Sequence, residues 1–198
     1  GDAVSAATLL GPESREYIES LGADVEGMLL EAQEGIGTWP DATDRSSEEL
    51  FIGEFDFGQL YLVLLRGTVE VEGEVEERTE AFPVVDDGSG YLVEWMGFDP
   101  ELGGRAEFAS PGEADGLADV PSDGLIEVFF PLDGIVTFVL DGEIVRTIGT
   151  QPVGANGEPY AKYEPTDGFE IGEHDLVVLF ASDRAVFASS VELTVVEP

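Results

Sequence analysis

Cysteine is absent from the 198 residues, which excludes disulfides, thiolate nucleophiles and zinc–thiolate sites. Histidine occurs once, as His174, so only one side chain is available for imidazole chemistry. Cations are scarce as well. Eight Lys+Arg stand against 43 Asp+Glu, a net charge of −35, and Lys162 is the only lysine. Eight dispersed cations build no basic patch, which argues against nucleic acid as a partner. No apolar run approaches the roughly 18 residues of a spanning helix, so no membrane span is expected. Gly1 is read as following either removal of Met or cleavage of a longer leader.

The catalytic signatures are missing too. No Gly-x-Ser-x-Gly elbow gives a hydrolase triad its nucleophile. Gly35-Ile36-Gly37 lacks the rest of a dinucleotide fingerprint, and there is no phosphate loop. Paired carboxylates can be drawn anywhere among 43 acids, so they carry no information about glycoside hydrolysis. The expectation is a protein that is not an enzyme and has no cofactor.

What is present is acid interleaved with apolar residues. Hydrophobic residues make up 43%, enough for a core, and the interleaving argues against disorder. A net charge of −35 destabilises a compact chain by self-repulsion. At molar salt the Debye length falls to about 3 Å and the repulsion is screened. That balance fits a halophile; a nucleic-acid mimic and a calcium-loaded surface protein are the rival readings.

Three segments are read along the chain: an N-terminal arm and helix over 1–38, a β domain over 39–119 and a second β domain over 120–198. Pro12 and Glu13 suit a helix start, and Gly35 suits its end. Tyr17, Ile18, Leu21, Val25, Met28 and Leu29 form one apolar stripe, expected to dock on a neighbouring subunit or cover the protein's own core. Trp39–Glu49 reads as a linker. Gln59–Arg66 reads as an apolar strand, with a tight turn at Gly67 and an alternating strand Thr68–Arg78 bulged at Gly73. Asp86–Gly90 (DDGSG) is a turn between Ala81–Val85 and Tyr91–Phe98. Arg105–Ala109 is a further short strand. Ser110–Ser122 is polar and marks the boundary.

The second half reads as strands at Leu125–Phe130, Ile135–Leu140, Glu143–Ile148, Tyr160–Tyr163, His174–Ser182 and Ser190–Val196. Asp141-Gly142 is the signal for a two-residue hairpin. In His174–Ser182 both alternating faces are apolar, which predicts a central strand covered on both sides. The run Gly172-Glu-His174-Asp-Leu176-Val-Val178-Leu-Phe180-Ala-Ser-Asp183, after Tyr163-Glu-Pro165, resembles the penultimate strand of bacterial and archaeal immunoglobulin-like domains. Those commonly read Gly-x-His-x-Leu-x-Val-x-Ala-x-Asp there; Asp183 sits one position later. The resemblance covers about residues 120–198 and implies an Ig-like β-sandwich and a histidine without catalytic duty.

The fold expected is therefore mainly β: two β-sandwich-like domains, the second Ig-like, behind an amphipathic helical segment. Phe51, Phe55, Phe57, Tyr61, Phe129, Phe130, Phe138 and Phe180 are assigned to the core. Trp39 and Trp95, close to turns, are assigned to an interface with the helical stripe. Asp86 and Asp87, and Asp41 with Asp44, are the weak candidates for a structural cation, although none follows a calcium-loop pattern. The function expected is a structural subunit of a halophilic extracellular assembly, foremost a virion protein such as a capsid, turret, decoration or tail component. It would partner other structural subunits, as a homo-oligomer. A cell-surface or S-layer protein, or a glycan-binding module, is the alternative. Exposed aromatics in a row on one sheet face would mark a binding module; two carboxylates in a cleft would mark an enzyme.

Overall fold

The structure, a computed structural model, describes residues 9–11, 14, 15, 19, 24, 43–71, 74–93, 107–109, 119–130, 132–152, 159–183 and 185–198. The described residues are mainly β. The chain divides into two compact units, Gly1–Pro100 and Glu101–Pro198, a division lying before the polar stretch expected to mark it.

The first unit is an antiparallel meander of four strands: β1 (Thr43–Phe55), β2 (Gly58–Val71), β3 (Glu74–Asp86) and β4 (Tyr91–Val93). Of the residues read as a linker, Thr43–Glu49 are the first half of β1, and 39–42 lie outside the described residues. Cross-strand bonding to β2 overrides their weak propensity, and both faces from Thr43 to Glu49 remain exposed. The tight turn expected at Gly67 is also corrected. Gly67 pairs with Arg78 inside a continuous ladder, and the chain reverses after Val71, which pairs with Glu74. Gly73, read as a bulge, lies outside the described residues.

On β2, Leu60, Leu62 and Leu64 point to one face and are at most 1% exposed. Pro83 and Val85 join them from β3. Farther along, burial changes face to Gly67 and Val69 with no break in the β2–β3 register. Fourteen residues span roughly 45 Å, long enough for the two ends to be covered on opposite sides. Gly58, at φ 132°, has no alternative residue: a Cβ there would collide with the Asp86 carbonyl.

The N-terminal stripe lies outside the described residues, and no helix is delineated among those described. Near it, Leu10 forms a parallel bridge to Val93, the Gly11 amide donates to the Val93 carbonyl at 3.0 Å, and Leu10 is 6% exposed. The chain just before the stripe thus packs on its own unit's sheet.

Among the described residues the second unit holds eight strands: β5 (Glu107–Ala109), β6 (Val120–Pro121), β7 (Ile126–Phe129), β8 (Ile135–Leu140), β9 (Glu143–Gly149), β10 (Tyr160–Tyr163), β11 (Gly172–Ala181) and β12 (Val186–Val196). They form sheets of order β10-β7-β5 and β6-β12-β11-β8-β9. β6 runs parallel to β12; the other pairings are antiparallel. The short strand read at 105–109 thus pairs with β7 of this unit. Side chains of the two sheets meet through aromatic rings. Phe138 of β8 lies 5.7 Å from Tyr163 of β10, and Phe130, just after β7, stacks on Phe180 of β11 at 4.9 Å. The expectation for β11 holds. Leu176 to Ala181 are all at most 2% exposed, on both faces. Each large side chain so covered is worth about 1.5–3 kcal/mol. Asp141 and Gly142, at φ 52° and 88°, make the two-residue turn between Leu140 and Glu143.

Candidate functional site

Alternation along β1 puts Glu49 and Phe51 on the face opposite Leu50, because side chains alternate along a strand. The register carries that face across the sheet. Phe51 opposes Tyr61, Tyr61 opposes Val84, and Asp86 opposes both Gln59 and Tyr91. The result is a row of rings on the side away from the buried leucines. Phe51 and Tyr61 have centroids 5.4 Å apart at 56°, and Tyr61 and Tyr91 5.9 Å apart at 68°. Phe51 is 55% exposed and Tyr91 58%, while Tyr61 between them is half-buried. The Tyr61 hydroxyl donates to Gln59 Oε1 at 2.8 Å. Desolvation first, then the negative charges of Tyr91, Asp86 and Glu49, hold that hydroxyl above the usual tyrosine range. Carboxylates therefore rim the aromatic row.

The tilt of the rings decides what this face offers. Each inner contact is edge-on or inclined, the favoured geometry for aromatic pairs, so the rings stabilise one another. They do not form one flat platform. They present separate ring faces with acceptor oxygens alongside.

A second polar centre lies in the other unit. His174, at the start of β11, donates from Nδ1 to Asp141 Oδ2 at 2.7 Å and from Nε2 to the Glu170 carbonyl at 2.8 Å. Asp141 Oδ1 accepts the Asp175 amide at 2.9 Å, and the Asp141 amide donates to the Asp175 carbonyl at 2.9 Å. This knot ties the β8–β9 hairpin to β11. Both partners of the ring are acceptors, so the doubly protonated imidazolium is the form that satisfies them. Desolvation pulls the His174 pKa down, but the Asp141 and Glu170 hydrogen bonds, with the negative charge of both residues, outweigh it and raise it above the ordinary value. Both ring nitrogens are thus engaged, and the side chain is 11% exposed.

That arrangement fixes a pH dependence. A raised folded pKa gives stability that is complete below the unfolded value, about 6.5, and is lost as pH rises through the folded value. Replacing His174 with Gln should therefore lower the melting temperature most below about pH 6.5 and progressively less above it. Paired thermal scans at constant salt read this out; a difference independent of pH would show that the imidazolium contributes nothing.

No protein-family model and no curated protein matches this chain. Among solved structures, a crystal structure described as an engineered protein is 16% identical with a TM-score of 0.31, covering 46% of this chain. The match spans about a fifth of that protein, 20% of its length, and carries no argument about fold or function.

The residues singled out in the sequence fall unevenly on this picture. Tyr17, Ile18, Leu21, Val25, Met28, Leu29, Trp39 and Trp95 lie outside the described residues. Asp86 ends β3 and Asp87 opens the β3–β4 turn, and the carboxylates of both accept from the turn itself. Asp86 Oδ1 accepts the Gly88 amide at 2.9 Å; Asp87 Oδ1 accepts the Ser89 amide at 2.8 Å and hydroxyl at 2.6 Å. The Ser89 hydroxyl and amide hold the Asp87 carboxyl below its ordinary value. Among the described residues no three His, Cys, Asp or Glu side chains converge as a metal site. Of the rings assigned to the core, Phe129, Phe130, Phe138 and Phe180 are buried, at most 5% exposed. Phe51 is corrected: it is exposed, because it shares the Glu49 face of a strand at the sheet edge. The sequence reading missed Phe51, Tyr61 and Tyr91 as a site. The alternation of SEELF, which gives Phe51 the parity of Glu49, was the signal that could have found them.

Proposed function

We propose that this chain is a non-enzymatic structural subunit of an extracellular assembly of a halophile, foremost a virion component, with the aromatic face of its first unit as a contact for another subunit. The carrying observation is the row Phe51–Tyr61–Tyr91, whose outer members are more than half exposed. Tyr and Phe are enriched at the centres of protein interfaces. The net charge of −35 supports the halophilic setting. An Ig-like sandwich for the second unit is supported by strand order. β9-β8-β11-β12 follows the C′-C-F-G order of such folds, and β10-β7-β5 follows E-B-A. Stacked Phe130 and Phe180 join the sheets where antibody domains use a disulfide.

Light scattering of the full chain in molar KCl, alone and mixed with the structural proteins of its native particle or envelope, tests the reading. Mass above the monomer is expected, falling when Phe51 and Tyr91 are replaced together by Ser. A chain that stays monomeric in every mixture overturns it. A glycan-binding module is the second reading, favoured by the exposure of aromatics in a row on one sheet face; the tilt between the rings speaks against a flat sugar platform.

A further inference from the structure

We infer that the aromatic face of the first unit takes an arginine-bearing segment of a different protein, an inference that rests on the contact proposed above and names its partner chemistry. Three observations converge on a cation. Glu49 shares the face with Phe51, and Asp86 pairs directly with Tyr91, so carboxylates flank the row at both ends. The exposed ring faces of Phe51 and Tyr91 provide the quadrupole that attracts a cation. The rings are inclined to one another, by 56° and 68°. Inclined rings receive a small planar group one face at a time, while its N–H groups reach neighbouring carboxylates. A guanidinium does both; an ammonium has no flat face to stack.

The chain is a poor source of that cation for a second copy of itself. It has eight Lys and Arg in all. Among the six described ones, Arg66 pairs with Glu48 at 2.9 Å, the Arg15 Nε donates to the Leu10 carbonyl, and Arg45 and Arg78 also have partners; the other two are Arg146, exposed on β9, and Lys162 on β10. With 43 acids to eight cations, a second copy would meet this acidic face mainly with like charge, so the occupant comes from another molecule.

The probes are hexa-arginine amide and hexa-lysine amide, titrated into the full chain by calorimetry at about 1 M NaCl, where the Debye length of about 3 Å removes diffuse attraction to the acidic surface. Hexa-arginine should bind at least about tenfold more tightly than hexa-lysine. Replacing Phe51 and Tyr91 together by Ser should weaken it by about tenfold or more, and Glu49→Gln should weaken it several-fold. Glu49 is the charge to alter because Asp86 also holds the Gly88 amide. These positions are exposed, and an unchanged far-ultraviolet spectrum verifies folding. Equal binding of both peptides, or binding indifferent to the ring substitutions, overturns the inference. So does ring-dependent binding of a neutral oligosaccharide such as maltohexaose without peptide binding. If the ring substitutions dissolve a homo-oligomer while hexa-arginine does not bind, the inference falls and the structural-subunit reading stands. If neither assembly nor peptide binding is seen, both fall.

Discussion

Dilution from about 3 M to about 0.1 M KCl should lower the melting temperature by on the order of ten degrees or more. Between those limits the Debye length grows from a few ångströms to about 10 Å, so repulsion among neighbouring carboxylates is switched on. The structure supplies particular pairs. Asp175 of β11 directly opposes Glu192 of β12, and like charges so placed are destabilising on a scale of about 0.2–1 kcal/mol. With 43 acids and eight cations, few acids have a compensating partner of opposite sign. A handful of such terms amounts to several kcal/mol, and at this chain length each shifts the melting temperature by about 2–4 °C. The Arg66–Glu48 pair works in the opposite direction, since salt weakens it. Its side chains are 30% and 45% exposed, and such a pair contributes about 1 kcal/mol at most. Repulsion therefore wins. Thermal scans by circular dichroism across the salt range measure the slope. Glu192→Gln, at an exposed position, should make the slope shallower, which separates charge screening from the general strengthening of apolar burial by salt. A flat profile would remove the halophile argument.

Local patterns carried the second unit and misled in the first, for physical reasons. Strands such as Ile135–Leu140 and Tyr160–Tyr163 were legible to the residue because Asp141-Gly142 and the flanking glycines and prolines punctuate them. Doubly apolar β11 was legible because it is buried on both faces. Gly67 misled because glycine usually marks a reversal, whereas here the ladder to Arg78 continues through it. Thr43–Glu49 was illegible as strand because its two exposed faces impose no apolar alternation; only its pairing with β2 defines it. The aromatic face was hidden for a related reason. Composition assigns Phe and Tyr to a core, and only the register across β1, β2, β3 and β4 shows that Phe51, Tyr61 and Tyr91 lie on the side away from Leu60, Leu62 and Leu64. Asp86 and Asp87 were legible as a turn, and one carboxylate oxygen of each, Oδ1, accepts from the turn's own amides.

Replacing Phe180 with Ala should destabilise the second unit by about 3–5 kcal/mol. Phe180 is 0% exposed and sits between two rings, 4.9 Å from Phe130 and 5.0 Å from Phe187. Its ring also fills the space a Cβ would need at Gly134: such an atom would lie 2.5 Å from Phe180 Cζ. Truncation removes the transfer energy of the ring and leaves a cavity bordered by Phe130, Phe187 and Gly134. The backbone around it is held in ladders on both sides of β11, so collapse into the space is limited. For a unit of this size each kcal/mol lowers the melting temperature by about 4–8 °C, so the fall is on the order of 15–30 °C. The two tryptophans, Trp39 and Trp95, both belong to the first unit, so their fluorescence follows that unit while far-ultraviolet dichroism follows both. In molar salt the variant should show a dichroism transition moved to low temperature and a fluorescence transition left in place. Phe180→Leu, which retains most of the buried volume, should lose less than half as much. A variant whose two signals move together would show that the aromatic stack supports more than its own unit. An unshifted melt would show that the cavity closes without cost.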